Sequence, residues 1–467
     1  MAEINNKKYL FEEMPINKAL MTMAIPTIVS QLVNLIYNIV DTMFIGRTGD
    51  AYKTAAVTLA FTIFMMTVSF GNLFGIGGGS LIARLMGSGE KEKSKAVSAL
   101  AFYGAITAAL LYSLIIGVFQ NPILDFLGAS DNTLGFAKQY IFLVVVLGDV
   151  PVILSMTTAH LLRNTGYSKQ AGIGLSLGGI LNVILDPVCM FVIMPKGMEV
   201  FGAALATLIS NIVACVYLVS VMAKVSTRSA LCLDPREIKN ITRDELRSFF
   251  GVGVPSALLT GLFDVANICL NALAATHGDL QLAAIGIVMK AERLPNAVNI
   301  GLCQGMLPIV AYNYSSGNHQ RMRAVIRSTQ LYGLSMSIGA LILFEIFSPY
   351  VCGVFMNTSS GANTAAAVST VAFATLFLRI RCIASPLQFL NFSTSFAMQA
   401  VGYGSGTMIH AVFRELIFYI PFMFVLNHFF GLNGLVSAII FGEGAGAVFA
   451  LLLFRRWKKL NVRSGEI

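Results

Sequence analysis

Three carboxylates in the first half of this chain, Asp41, Asp149 and Asp186, lie within long apolar stretches, with no lysine or arginine at comparable depth. A charge surrounded by hydrocarbon is costly enough that such a group must hold a proton, a metal cation or a partner. Asn182 precedes Asp186 by four residues, so on a helix the two side chains stack on one face. At a rise of about 1.5 Å per residue, Asp41 near the far end of its stretch, Asp186 a little before Pro195 and Thr207 soon after Gly202 all fall in the same outer half of the hydrocarbon layer. Two carboxylates, an amide oxygen and a hydroxyl are hard oxygen ligands, suited to a proton or a small cation such as Na+ and poorly suited to a soft metal. Each acid also has a plain structural reading. Asp186 could cap backbone freed by Pro187, Asp41 could sit at headgroup level beside Arg47, and Asp149 could hold helices together.

The second half carries a different mixture. Asp264, Glu292, Glu415 and Glu443 are accompanied by Lys290, Arg293, Arg379, Arg381 and Arg414. Mixed charges can neutralise one another, so the simpler reading is a helix-to-helix network, with Asp264 paired to Arg379 or Arg381. The sharper reading is a polar pocket that recognises part of a solute. In the first long stretch, Gln31, Asn34 and Asn38 follow helical spacing and Tyr37 stands beside them. They either face a central cleft, where they could hydrogen-bond a solute and offer a π face to a cation, or pack against the next helix.

The elements that must position these groups are membrane helices. Hydrophobic residues make up 56% of the 467, charged residues only 12%, and mean hydropathy is +0.74; the charged share of a soluble protein is about twice that. Twelve apolar segments of spanning length are predicted at 18–46, 54–86, 95–120, 135–163, 169–194, 200–224, 243–276, 281–314, 322–348, 364–400, 406–429 and 432–456. The first is long for a signal peptide and is read as a retained span. Most of the 32 Lys and Arg fall at the two ends of the chain and in the turns after even-numbered spans, Arg84, Arg163 and Arg321 among them. The opposite turns hold Arg47, Lys53, Lys138 and Lys196. This asymmetry predicts that both termini are cytoplasmic, and it accounts for the net charge of +9 without nucleic acid.

The chain is written twice. Pro255 and Gly278-Asp279 stand in the second half where Pro26 and Gly49-Asp50 stand in the first, Arg-Met-Arg-Ala-Val at 321–325 answers Lys-Ser-Lys-Ala-Val at 93–97, and Gly402-Tyr403 answers Gly166-Tyr167. With six spans per copy, both copies start from the same side, which makes them parallel repeats. The expected organisation is 1–224 as one lobe, 225–242 as a charged cytoplasmic linker and 243–467 as the second lobe. Eight of the 13 prolines (26, 151, 187, 255, 295, 308, 386 and 421) lie inside spans, where they bend helices. Gly75, Gly77, Gly78 and Gly79 follow no strand and read as close helix packing. Seven scattered cysteines without CxxC spacing read as packing residues.

Val-Asp-Thr-Met-Phe-Ile-Gly at 40–46, the run from Asn182 to Pro187, Gly-Ala-Ala-Leu-Ala-Thr at 202–207 and Met-Gln-Ala-Val-Gly at 398–402 resemble the multidrug and toxic compound extrusion (MATE) family along essentially the whole chain. The resemblance implies an all-α polytopic protein whose two six-helix lobes enclose a central cleft. It matches Asp41, Asn182, Asp186 and Thr207 to the family's cation site, adds Tyr140 as a span 4 tyrosine, and suggests bending of span 1 at Pro26.

No GxxxxGK[ST] motif supplies ATP binding, and no nucleophile, base and orienter recur at usable spacing, so an enzyme is not expected. The expectation is a secondary antiporter of the cell membrane that exchanges organic, mainly cationic compounds for H+ or Na+. Asp41, Asn182, Asp186, Thr207 and Tyr140 would serve coupling, by metal ligation at the first four if the ion is Na+. Gln31, Asn34, Tyr37, Asn38, Asp264 and Gln399 would serve the substrate cleft. Neither a cofactor nor an obligate protein partner is expected. The alternatives are a flippase for a lipid-linked oligosaccharide, whose pyrophosphate the deep bases of the second half would hold, and an exporter of an anionic or zwitterionic metabolite.

Overall fold

A computed structural model describes residues 8–48, 50–357 and 365–463, and the regular structure among them is helical throughout. Gly49, one member of the repeated pairs, and position 364, the predicted start of the tenth span, lie outside the described residues. Six long helices form the first half, with a short one, Gln120–Phe126, after the third: α1 (Ile16–Gly46), α2 (Ala51–Gly87), α3 (Lys91–Val118), α4 (Asp131–Val146 continued by Asp149–Asn164), α5 (Ser168–Ile193) and α6 (Glu199–Ser226). Six more follow: α7 (Arg243–Ala275), α8 (Asp279–Ser315), α9 (His319–Asn357), α10 (Ala365–Cys382 continued by Ser385–Ala400), α11 (404–430) and α12 (432–463). The bends within α4 and α10 are 44° and 49°. Helices α11 and α12 meet without a loop at Gly431, whose φ of 58° and ψ of −142° break the helix; a side chain would strain that backbone.

Local chemistry starts several of these helices. The Asp50 carboxylate accepts from the amides of Tyr52 (2.9 Å) and Lys53 (3.4 Å), capping α2. Thr242 and Glu245 form a reciprocal capping box at α7. Between α6 and α7 the connector contains a 3-10 turn, Pro235–Asn240, and is tied to α3 where the Tyr103 hydroxyl donates to the Leu233 carbonyl at 2.8 Å. After Asp186, Pro187 has no amide to give, and α5 widens into a π turn at Cys189–Ile193.

The halves meet mainly through α1 against α8 and α2 against α7. Glycines set the spacing. A Cβ on Gly301 would lie 2.7 Å from the Ile28 Cα, one on Gly305 would lie 2.6 Å from the Ala24 Cα, and one on Gly77 would lie 2.9 Å from the Gly253 Cα. All these contacts belong to the end of the bundle that carries the basic turns, where Leu20, Met23, Cys303 and Met306 form a core shared by both halves. Toward the other end each half keeps its own core, one around Ile63, Ile141 and Val200, the other around Leu270, Phe377 and Val436. There Gly261 and Gly286 have no atom within 4 Å of where a side chain would begin. The bundle is closed at the basic end and splayed at the opposite one.

Candidate functional site

Between the halves lies a cavity of about 490 Å³, within the usual range for a small-molecule site. Gln31, Asn34, Tyr37 and Asn38 of α1 all line it, as do Asp264 of α7 and Gln399 of α10. The stripe on α1 therefore faces the cleft and does not serve as packing against α2. Asn38 is held in place by a 2.6 Å hydrogen bond from its Nδ2 to the Asn34 carbonyl. Phe61, Phe64 and Phe263 supply apolar walls.

Asn182 of α5 and Thr207 of α6 form part of the same wall, and Asp186 stands behind Asn182. The Asn182 Nδ2 donates to Asp186 Oδ1 at 3.1 Å and to Thr207 Oγ1 at 3.2 Å. Asp186 is fully buried. Asp41 and Asp186 lie within electrostatic reach of each other and of the hydroxyls of Tyr37 and Tyr140, and the Tyr140 hydroxyl lies toward Thr207. Sequence positions 41, 140, 182, 186 and 207, from four helices, are thus brought to one place. Three oxygens there, Asp41 Oδ1, Asp186 Oδ2 and Asn182 Oδ1, are buried with no donor. Buried acceptors are rarely left so, and a shared proton or a small cation on oxygen ligands would satisfy them. Among the described residues no cluster of three His, Cys, Asp or Glu side chains forms a metal site, so a cation here would also need the Asn182 and Thr207 oxygens.

Pro26 lies within an unbroken α1. Beside it, Ser168 Oγ donates to the Met23 carbonyl at 2.6 Å, and the glycine of α5 at 172 leaves room for the Pro26 carbonyl, which a Cβ would approach to 2.5 Å. Asp149 is buried, accepts a 2.6 Å hydrogen bond from Thr67 and joins α4 to α2, in keeping with a helix-joining role.

In the second half, the expected pair of Asp264 with Arg379 or Arg381 is not formed. Arg381 instead clamps Glu292 through two 2.8 Å hydrogen bonds, and Arg379 donates to Ser348 at 2.9 Å. Arg414 holds Glu443 at 2.6 and 2.9 Å, and Asn391 adds a 2.6 Å hydrogen bond to the same carboxylate. These forked contacts use up both carboxylates. Asp264 remains at the cavity with the Arg293 charge acting on it. Three of the five deep bases are thereby committed to the protein's own groups, which leaves less of the cluster that a pyrophosphate would require.

By sequence Arg163 counts among the basic residues of the turns after even-numbered spans. It is in fact 2% exposed and lines the cavity with its neighbour His160. Asn72 was also missed; its Nδ2 donates to Thr260 at 3.1 Å, joining α2 to α7 across the two halves. A basic residue at the end of a span is read as facing water by default, and nothing in its own segment shows otherwise.

The sequence profile of the MatE family matches residues 26–188 and 255–425. The multidrug export protein MepA of Staphylococcus aureus is 31% identical over 460 residues, 98% of each chain, and that of Staphylococcus saprophyticus is 30% identical over 445 residues, 95% of each. Among solved structures, an outward-facing multidrug resistance MATE family transporter superposes with a TM-score of 0.88 at 21% identity, over 98% of both chains. A Pyrococcus furiosus transporter of the MOP superfamily, described as having a binding pocket of reversed polarity, superposes at 0.87 and 22% identity over the same share. At these identities the two structures speak for the fold, that of twelve helices in two lobes.

Proposed function

The chain belongs to the MatE family, and from that premise we propose that it is a multidrug-type efflux transporter working as a secondary antiporter, moving organic, mainly cationic compounds out of the cell in exchange for H+ or Na+. Its lobes are 1–224 and 243–467, joined by the linker at 225–242. The positive-inside asymmetry supports a cytoplasmic position for the closed, basic end and both termini, an orientation in which the bundle described above would be open to the outside. The observation that carries the reading is the wall shared by the two sites. Asn182 and Thr207 face the cavity on one side and Asp186 on the other.

That wall offers a route for coupling. Unneutralised Asp41 and Asp186 attract a cationic solute into the cavity, since charges interact strongly across a low-dielectric medium. An ion arriving from the open side neutralises them and draws the Asn182 amide and Thr207 hydroxyl toward itself, which weakens the hold on the solute. Each ligand favours one lobe arrangement to the extent that it binds that arrangement better, and this differential affinity links the two fluxes. The polar stripe Gln31, Asn34, Tyr37 and Asn38, with Asp264 and Gln399 opposite, would hold the solute, and α1 would transmit the change by bending at Pro26.

The test is efflux of ethidium from proteoliposomes under an imposed pH gradient or an imposed Na+ gradient, for the wild type and Asp186→Asn. Gradient-driven efflux by the wild type that is lost in the variant is expected, and the effective gradient names the ion. Undiminished efflux by a correctly inserted Asp186→Asn protein would remove this site from the mechanism.

A further inference from the structure

Arg163 closes the second part of α4, at the cytoplasmic floor of the cavity, and is nearly fully buried. Among the described residues no carboxylate pairs with it. Its Nη1 lies 3.2 Å from His160 Nδ1, and its Nε has no hydrogen-bond partner. A guanidinium keeps its charge in proteins, and a buried charge without a partner costs several kcal/mol. Arg381 and Arg414, equally buried, each grip a carboxylate. Arg163 alone of these three lacks one.

The fold does not demand a charge at this position. Gly166-Tyr167 and Gly402-Tyr403 are repeat counterparts, which sets Arg163 against Gln399. The two turns close alike. Gly166 N donates to the Arg163 carbonyl at 3.1 Å and Gly402 N to that of Gln399 at 3.2 Å, while Tyr167 N and Tyr403 N reach the carbonyls of Leu162 and Met398 at 2.8 Å each. Gly166 and Gly402 share the left-handed φ, at 87° and 81°. The second half thus makes the same turn with a neutral amide that also lines the cavity.

His160 completes the arrangement. A guanidinium can only donate, so His160 Nδ1 accepts and its proton sits on Nε2, leaving a second donor on the same ring. The ring is held against α2, where a Cβ on Gly75 would come within 2.7 Å of His160 Cδ2. Apart from the one Arg163 N–H that His160 Nδ1 accepts, these donors, one of them charged, stand at the cavity floor with no hydrogen-bond acceptor among the described residues.

We propose that Arg163, oriented by His160, is an anion subsite of the transport cavity that takes the carboxylate of an amphoteric organic solute, one bearing both a cationic amine and a carboxyl group. The inference rests on the exporter reading and narrows its substrate class. The solute would lie with its carboxylate on the floor and its cationic end toward the acids of the open side. Free chloride offers the same single negative charge, and the experiment separates the two sources.

Binding to the purified full-length protein is followed by fluorescence polarisation with two probes, a rhodamine with a free carboxyl group and its methyl ester, each in chloride and in gluconate buffer. The wild type should bind the acid at least as tightly as the ester. Arg163→Gln, which installs the side chain the second half already uses, should weaken the acid about tenfold or more, the scale of one lost charge-assisted hydrogen bond, and leave the ester unchanged. Arg163→Lys should restore part of the difference. A wild type that binds the acid tenfold more weakly than the ester would overturn the proposal without any variant, as would a folded Arg163→Gln that loses both probes equally or neither. Acid binding indifferent to the variant, with chloride raising the unfolding temperature of the wild type alone, would assign the site to chloride and overturn the substrate assignment. Gradient-driven efflux of the ester reports separately on the exporter reading.

Discussion

Arg414 and Arg163 place the same buried guanidinium in opposite circumstances. Arg414 is held by Glu443, lies 3.5 Å from Glu415 and has its charge 5.1 Å from the Phe392 ring centre. Removing one partner of such a pair strands the other charge in a medium that cannot solvate it. Arg414→Met should therefore lower stability by about 3–5 kcal/mol, read as a fall in unfolding temperature in detergent, whereas Arg163→Gln, which strands no carboxylate, should leave that temperature near the wild-type value. An unfolding temperature unaffected by Arg414→Met would mean that Glu443 is content without its partner. Asn182 shows the limit of reading residues singly. Its spacing to Asp186 is visible in the sequence, but the hydrogen bond to Thr207 joins α5 to α6 and exists only once those helices pack.

Among the elements, the π turn Tyr9–Glu13 that precedes α1 behaves as a strap. Leu10 and Phe11 are buried in the core shared by the two halves, and Phe11 stacks on Tyr312 of α8 with ring centres 4.9 Å apart. Arg321 of α9 donates to the carbonyls of Phe11 (2.7 Å) and Met14 (2.6 Å), and Glu12 accepts from the Tyr312 hydroxyl at 2.6 Å. The same segment touches the α4–α5 turn, since a Cβ on Gly166 would meet Leu10 and Phe11 at 3.5 Å. A strap bound to both halves at the closed end opposes its opening. Arg321→Ala should therefore shift the protein toward the cytoplasm-open arrangement by about tenfold or more, each charge-assisted hydrogen bond contributing about 1.5–3 kcal/mol. Labelling of a cysteine introduced in the cleft from the cytoplasmic side measures the shift, and unchanged labelling would show that the strap breaks at no cost or not at all.

For the whole molecule, the asymmetry between a glycine-packed end and a splayed end is the feature on which the proposed alternating access would turn. Small residues let backbones approach closely, and in lipid, where burial of apolar surface drives little, such packing supplies much of the helix association. Gly305→Val should wedge α8 from α1, destabilise the closed, basic end and abolish gradient-driven efflux. Gly261→Val, placed where no atom lies within 4 Å, should retain it. Equal activity of the two variants in the efflux assay would mean that the closed end is not held by this contact.

The twelve spans, the doubled chain and the deep acids without bases were legible in the sequence, because hydropathy, helix-breaking residues and the cost of a charge in hydrocarbon are properties of each segment in its solvent. Helix rise and i, i+4 stacking place Asp41, Asn182, Asp186 and Thr207 at one depth, but their meeting at a single site, with Tyr140, is implied only by the family resemblance. Which acid meets which base was decided by tertiary structure alone. Arginine side chains are long and helices pack at angles set by distant small residues, so Arg381 finds Glu292 on α8 and bypasses Asp264 on α7. For the same reason Arg163 reads from its own segment as a wetted turn residue. Only the packing of α4 against the glycines of α2 turns it inward to the cavity.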